Sequence, residues 1–267
     1  MTMYEKYGPW AVIAGASEGT GRAFASRVAA QGINCILLAR REEPLQALSI
    51  EITQRHGVEC VTASVDLSAP DATASVIAAI DNREVGLFIA NAGADSVNSR
   101  FLDAPYEQWQ SLIHRNVLTV TSCCHHLGQL MRQRQRGGII LVGSGACYGG
   151  SSHMAVYSGT KAFDLCFGEG LWTELRPHGV DVLNLILGQT DTPAFRATLA
   201  KVGLPLPPNL ATPDEVAKLA LERLPHGPVC NWGIDDNVVG YAPNSAAQRR
   251  DRVLQIDKAT SSLFDQG

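Results

Sequence analysis

Two kinds of apolar patterning take turns along the chain. Short continuous apolar runs at 10–15 (WAVIAG), 33–39 (INCILLA), 59–65, 85–90, 138–142 and 182–187 have the length of strands buried on both faces. Between them apolar residues recur at helical spacing, over 21–30, from about Glu42, over about 70–80, from Pro105 to about Arg134, and from Ala155 to about Arg176. Strict alternation of strand and helix predicts a doubly wound α/β fold: a parallel sheet between two helical layers, joined by right-handed crossovers. The pattern then loosens. Residues 188–212 carry Pro193, Pro205, Pro207 and Pro208, which is long for a connection and predicts a functional lid. Its Phe195, Leu199, Val202, Leu204 and Leu206 form either an apolar substrate surface or ordinary packing. A helix over 213–224 capped by Thr212 and a short strand over 228–232 follow. In the tail, Val253, Ile256, Thr260, Leu263 and Phe264 fall at helical spacing and predict a terminal helix over about 245–264. With no internal repeat and no boundary, residues 1–267 read as a single domain.

Composition narrows the partners. At 45% hydrophobic and 18% charged the chain can bury a substantial core, and a formal net charge of −4 lacks the basic field that nucleic-acid binding requires. The one basic run, Arg132 to Arg136, reads as a solvated helix end. The first ten residues lack the apolar core of a signal peptide, and no apolar run reaches the ~18 residues that span a bilayer, so a cytoplasmic protein without a membrane partner is expected. Seven Cys without a CxxC argue for reduced thiols. Cys123, Cys124, His125 and His126 fan around a helix, which brings at most two of them to one ion, and no metal site is expected.

The first strand runs straight into Gly15, Gly19 and Gly21. Glycines there let a backbone approach a pyrophosphate closely while the next helix offers its unpaired amides, which points to nucleotide binding. The second strand ends at Ala39-Arg40-Arg41, where an acidic residue would take the ribose hydroxyls of NAD and an Arg suits the 2′-phosphate of NADP; the Arg pair favours NADP(H). Asn91-Ala92-Gly93 closes the fourth strand, at the end of a parallel sheet where ligands bind. Asn116 is polar among apolar helical neighbours and either satisfies a helix irregularity or holds a water. Ser144 follows the fifth strand, and Tyr157 and Lys161, four apart, share one helical face, where an ammonium stabilises a phenolate for proton transfer. That pair alone also arises by chance.

Together, GASEGTG at 15–21, ANAG at 90–93, Asn116, Ser144 and YSGTK at 157–161 resemble the short-chain dehydrogenase/reductase family over about residues 8–235. The resemblance implies a Rossmann fold and NAD(P)-dependent interconversion of a ketone and a secondary alcohol. It implies Tyr157 as the acid, Ser144 holding the carbonyl oxygen, Lys161 supporting Tyr157 and binding the nicotinamide ribose, and Asn116 positioning a relay water. By the same carry-over Asp66 and Leu67 flank the adenine, Ser17, Arg40 and Arg41 surround the 2′-phosphate, Thr20 joins the glycines in binding the cofactor, Asn91, Ala92 and Gly93 line it, and Gly188, Thr190 and Thr192 reach the carboxamide. The family's Pro-Gly after strand six is Leu187-Gly188 here, and Glu18 stands where some NADP-dependent members carry a base. EKYGPW, ARREEPL and LGQTDTP look like the bacterial branch containing 7β-hydroxysteroid dehydrogenases, implying a steroid-like or other bulky apolar ketone. A 3-oxoacyl or small-ketone reductase, and a non-catalytic NADP-binding regulator, are the alternatives. Family members pair through their two long helices, implying a homodimer or homotetramer. Asp95, Cys147, Tyr148, His153 and Phe195 are candidate pocket residues.

Overall fold

The computed structural model describes residues 1–95, 97, 99–150, 153–201, 203–232, 248, 250, 251 and 254. Val202 and the tail positions Val253, Ile256, Thr260, Leu263 and Phe264 lie outside the described residues.

In chain order the elements are α1 (Met3–Tyr7), β1 (Trp10–Ala14), α2 (Gly19–Ala29), β2 (Asn34–Ala39), α3 (Glu42–His56), β3 (Cys60–Ser64), α4 (Ala72–Ile80) and β4 (Val85–Ala90). They continue as α5 (Tyr106–Ile113), a π turn (His114–Leu118), α6 (Thr119–Arg134), β5 (Gly137–Ser144), α7 (Ala155–Leu175), β6 (Val180–Leu187), α8 (Pro193–Lys201), α9 (Pro213–Arg223) and β7 (Val229–Asn231). Among the described residues seven strands form one parallel sheet in the order β3-β2-β1-β4-β5-β6-β7. The chain leaves β1 toward one edge and returns at β4 on its other side. A crevice opens at such a switch, outside the carboxyl ends of the strands.

Alternating strand residues feed two cores. Ala11, Ile13 and Leu37 pack with Phe24 and Val28 of α2, Leu45 and Leu48 of α3 and Val216 and Ala220 of α9. Val12, Ala14, Ile36 and Leu38 pack on the opposite face with Val76 of α4, Leu127 of α6 and Trp172 and Leu175 of α7. These are the expected three layers. Among the described residues no helix is long and apolar enough to cross a membrane.

The structure adds two elements to the sequence reading. Helix α1 is closed by a capping box between Thr2 and Glu5, and its Tyr7 hydroxyl donates to Asp181 at 2.6 Å beside the Lys6–Asp181 ion pair. Five residues with one buried side chain leave no period to read. Within the expected lid, α8 presents no buried residue.

Candidate active site

At the carboxyl end of β1 the chain turns through Gly15 at φ +76° and Gly19 at φ +55°, a backbone region that side chains rarely enter. A Cβ on Gly21 would collide with the Gly15 carbonyl oxygen, which already accepts the Asn91 amide at 3.1 Å. Turn, α2 and the end of β4 are thus locked together with backbone at the surface of the crevice. Glu18, the residue before α2, makes no side-chain cap. The first-turn amides of α2 are left for a ligand, and this glycine cradle fits a dinucleotide pyrophosphate.

Glu18 instead reaches Arg41, whose Nη2 lies 2.6 Å from its carboxylate on the exposed rim. Arg41 therefore meets an anion from its own chain, which the sequence reading did not provide for. Arg40 is exposed, and its charge acts on Asp66 and Arg115. The hydroxyl and amide of Ser68 hold the Asp66 carboxyl below its ordinary range, with Arg40 and Arg115 adding to the effect. Leu67 is buried beside it and its carbonyl accepts the Thr119 hydroxyl at 2.9 Å.

Deeper in, the π turn carries Asn116, which is fully buried. Such turns cluster at functional sites because the extra residue re-aims side chains. Here the Asn116 amide donates to Thr160 Oγ1 at 3.0 Å and to the Gly93 carbonyl at 3.4 Å, while its own oxygen accepts Arg115 Nε at 3.3 Å. Thr160 in turn donates to the Tyr157 carbonyl at 2.8 Å. One turn on, Lys161 Nζ donates to the Val142 carbonyl of β5 at 3.0 Å and to Asp164 Oδ2 at 3.1 Å. A Cβ on Gly93 would come 2.8 Å from that ammonium and 3.5 Å from Asn116 Oδ1, so the strand-end glycine makes room for both. Ser144 ends β5 in register with Leu187, its hydroxyl oxygen accepting the Ala146 amide at 3.2 Å. A helix irregularity is present at Asn116, one of the two readings open for it, and Asn116 lies against Gly93 after β4, Lys161 against Val142 of β5 and Ser144 at the end of β5.

Residues 9–202 match the family described as short chain dehydrogenase. The chain belongs to the short-chain dehydrogenase family. It is an oxidoreductase of that family, similar over 226 residues, at 34% identity, to the 7β-hydroxysteroid dehydrogenase of Mediterraneibacter gnavus, covering 84% of this chain and 86% of that one. A solved 7β-hydroxysteroid dehydrogenase structure superposes with a TM-score of 0.83 at 32% identity, covering 96% of this chain and 99% of the other. A short-chain dehydrogenase from Sphingobium yanoikuyae, solved with NADPH, superposes with a TM-score of 0.77 at 27% identity over 97% and 96% of the two chains.

In this short-chain dehydrogenase Leu187, where the family has Pro, packs against the first core, and Gly188 sits exposed beside it. The segment then folds back over the glycine turn. A Cβ on Gly19 would meet the Thr192 methyl at 3.2 Å, and Thr192 Oγ1 accepts the Phe195 amide at 3.2 Å. Thr190 bridges Ala211, pinning the two ends of the expected lid together. Of the candidate pocket residues, Cys147 and Tyr148 pack against Leu165, Ile186 and Val229, and the Tyr148 hydroxyl donates to Asn231 at 2.7 Å. Asp95 accepts the Val97 amide, and His153 is exposed. Sequence reading missed Arg115, Thr160 and Asp164. A carboxylate three residues after Lys161, within reach of it on a helix, was the available signal for the last. Among the described residues no cluster of His, Cys, Asp or Glu could hold a metal.

Proposed function

We propose that the chain is an NADP(H)-dependent oxidoreductase interconverting a bulky apolar ketone, steroid-like in shape, and its secondary alcohol. The observation that carries this reading is the set of hydrogen bonds from the Gly93 carbonyl through Asn116 and Thr160 to the backbone carbonyl of Tyr157, with Lys161 anchored alongside on β5. When bound, the nicotinamide supplies or accepts the hydride. The glycine cradle, Thr20 and the α2 amides would hold the pyrophosphate end, Ser17, Arg40 and Arg41 a 2′-phosphate, Asp66 and Leu67 the adenine, Asn91, Ala92 and Gly93 the ribose side, and Gly188, Thr190 and Thr192 the carboxamide. Tyr157 gives its proton to the carbonyl oxygen in reduction and takes it back in oxidation. Ser144 hydrogen-bonds that oxygen, and the Lys161 ammonium favours the phenolate. Asn116 holds the water through which the proton is exchanged.

The exposed Leu204 and Leu206 of the segment tied at Thr190 and Ala211 support a lid that closes on an apolar substrate. Similarity to two 7β-hydroxysteroid dehydrogenases supports the steroid-like shape. We expect a homodimer or homotetramer paired through α6 and α7.

The test is oxidation of NADPH and of NADH across ketosteroids, 3-oxoacyl esters and small ketones, with Tyr157→Phe in parallel. Turnover on ketosteroids with NADPH, lost by about 100-fold or more in Tyr157→Phe while NADPH still binds, is the expected result. Activity confined to acyl or small ketones would replace the substrate, and undiminished activity in Tyr157→Phe would remove the acid.

A further inference from the structure

We propose that Asp164 is the counter-ion of Lys161, a positioning residue that holds the ammonium against β5 and sets how much of its positive charge reaches Tyr157. This rests on reading Tyr157 as the acid–base group. Positions 157, 161 and 164 stand at i, i+4 and i+7 on α7 and so share one face. The Lys161 and Asp164 side chains are only 4% and 5% exposed, and their ion pair is 3.1 Å long. A charge taken that far out of water is costly, and a hydrogen-bonded partner of opposite sign offsets that cost. The Val142 carbonyl gives Lys161 a neutral acceptor; Asp164 gives it the balancing charge. The dependence is mutual. Burial pushes the Asp164 carboxyl up and Lys161 is what draws it back down, while Asp164 Oδ1 has no hydrogen-bond partner among the described residues.

The other titratable groups around the pair leave this assignment intact. On α7 itself there is Tyr157. From α6 comes the Cys124 thiol, pushed well up by burial and further by Cys123 and Asp164, so it stays neutral. From the π turn comes Arg115, whose charge acts toward Tyr157 but is also met by Asp66 and Asp95 and opposed by Arg40. Asp164 is therefore the acidic group bonded directly to Lys161.

A paired lysine acts on its surroundings as a dipole; an unpaired one acts as a full charge. Asp164 stands two turns from Tyr157, about 10 Å along the helix axis, close enough to cancel part of the ammonium's field there. Replacing it by the isosteric amide removes the negative charge but leaves Nζ two neutral acceptors, the amide oxygen and the Val142 carbonyl, so the ammonium keeps its charge. The phenolate is then favoured more strongly. Since phenolate is the base for alcohol oxidation and phenol the acid for ketone reduction, both pH profiles should move to lower pH, by on the order of one unit.

The experiment compares wild type with Asp164→Asn in both reaction directions as a function of pH. Alongside, the ultraviolet absorbance of the Tyr157 phenolate is followed as the difference from the same protein carrying Tyr157→Phe. An acid shift in profiles and phenolate titration is the expected result. Superimposable titrations with only a lowered melting temperature would make Asp164 a structural residue and overturn the proposal, as would a shift to higher pH. Asp164→Ser, which also removes the charge, is read the same way if the amide variant does not fold. If wild type turns over no ketone or alcohol, the proposed function fails by itself, and the phenolate titration still decides the counter-ion.

Discussion

Glu18 decides how much charge the nucleotide rim offers. Its carboxylate engages Arg41 on the exposed edge of the crevice, so a 2′-phosphate must compete with it. Glu18→Gln removes the competitor and should tighten NADPH about threefold, the scale of an exposed ion pair, with little change for NADH. Fluorescence titration of both nucleotides measures this, and an equal change for both would remove Arg41 from the 2′-phosphate site. Elsewhere the environment of single thiols sets their chemistry. Cys60 lies directly across the β2–β3 pairing from Cys35, and hydrogen bonds from Cys35, Thr53 and Ser49 outweigh its partial burial and lower its pKa to about 7. Burial pushes Cys123 up to about 11 and Cys124 well above the ordinary thiol range. Because the thiolate is the nucleophile, alkylation of Cys60 should fall away as pH drops through about 7, while Cys123 and Cys124 stay unlabelled at neutrality. Peptide mapping after iodoacetamide at several pH values checks the order.

At the scale of elements, the glycine turn shows why a local pattern could be read and a local geometry could not. GASEGTG between an apolar strand and a periodic helix is visible in the chain. That Gly21 must lack a Cβ because the Gly15 carbonyl faces it is visible only once β1, α2 and Asn91 are assembled. Gly21→Ala should destabilise the fold by about 3 kcal/mol, the upper range for overpacking, as measured by urea unfolding. A fully stable variant would mean that the joint between β1 and α2 is loose. The long helix expected from Pro105 to Arg134 is likewise there in outline, but it is cut by the π turn that points Asn116 inward. Asn116 itself was the signal for that irregularity. Helix α8 went unread because the prolines of 188–212 mark a connection, although Phe195 and Leu199 stand four apart and are half-buried.

For the whole molecule, large apolar side chains stand exposed at the end of the π turn and on α7. Leu118 is 51% and Phe163 40% exposed, and Phe163 stacks on Phe167 at 5.7 Å between ring centroids. Between the two helices runs a groove whose floor includes Gly128, Phe167, Leu171 and Leu175, with His125, Gln129, Arg132 and Glu174 also lining it. Such a patch fits the helix pairing implied by the family resemblance. Light scattering should give a dimer or tetramer, and Phe163→Glu should shift it toward monomer without unfolding; a monomeric wild type would contradict the pairing. The sequence by itself determined the layer architecture, the strand order of glycine turn, Arg pair and strand-end Asn-Ala-Gly, and the identity of the Asn, Ser, Tyr and Lys. Periodicity and local backbone preference are properties of neighbouring residues, so they are written in the chain. Tertiary structure alone decided that Glu18 meets Arg41, that Thr160 ties Asn116 to α7, that Asp164 balances Lys161 and that the segment after β6 folds over Gly19. Each joins side chains through burial and distance, and those exist only after the sheet has brought the ends of separate strands together.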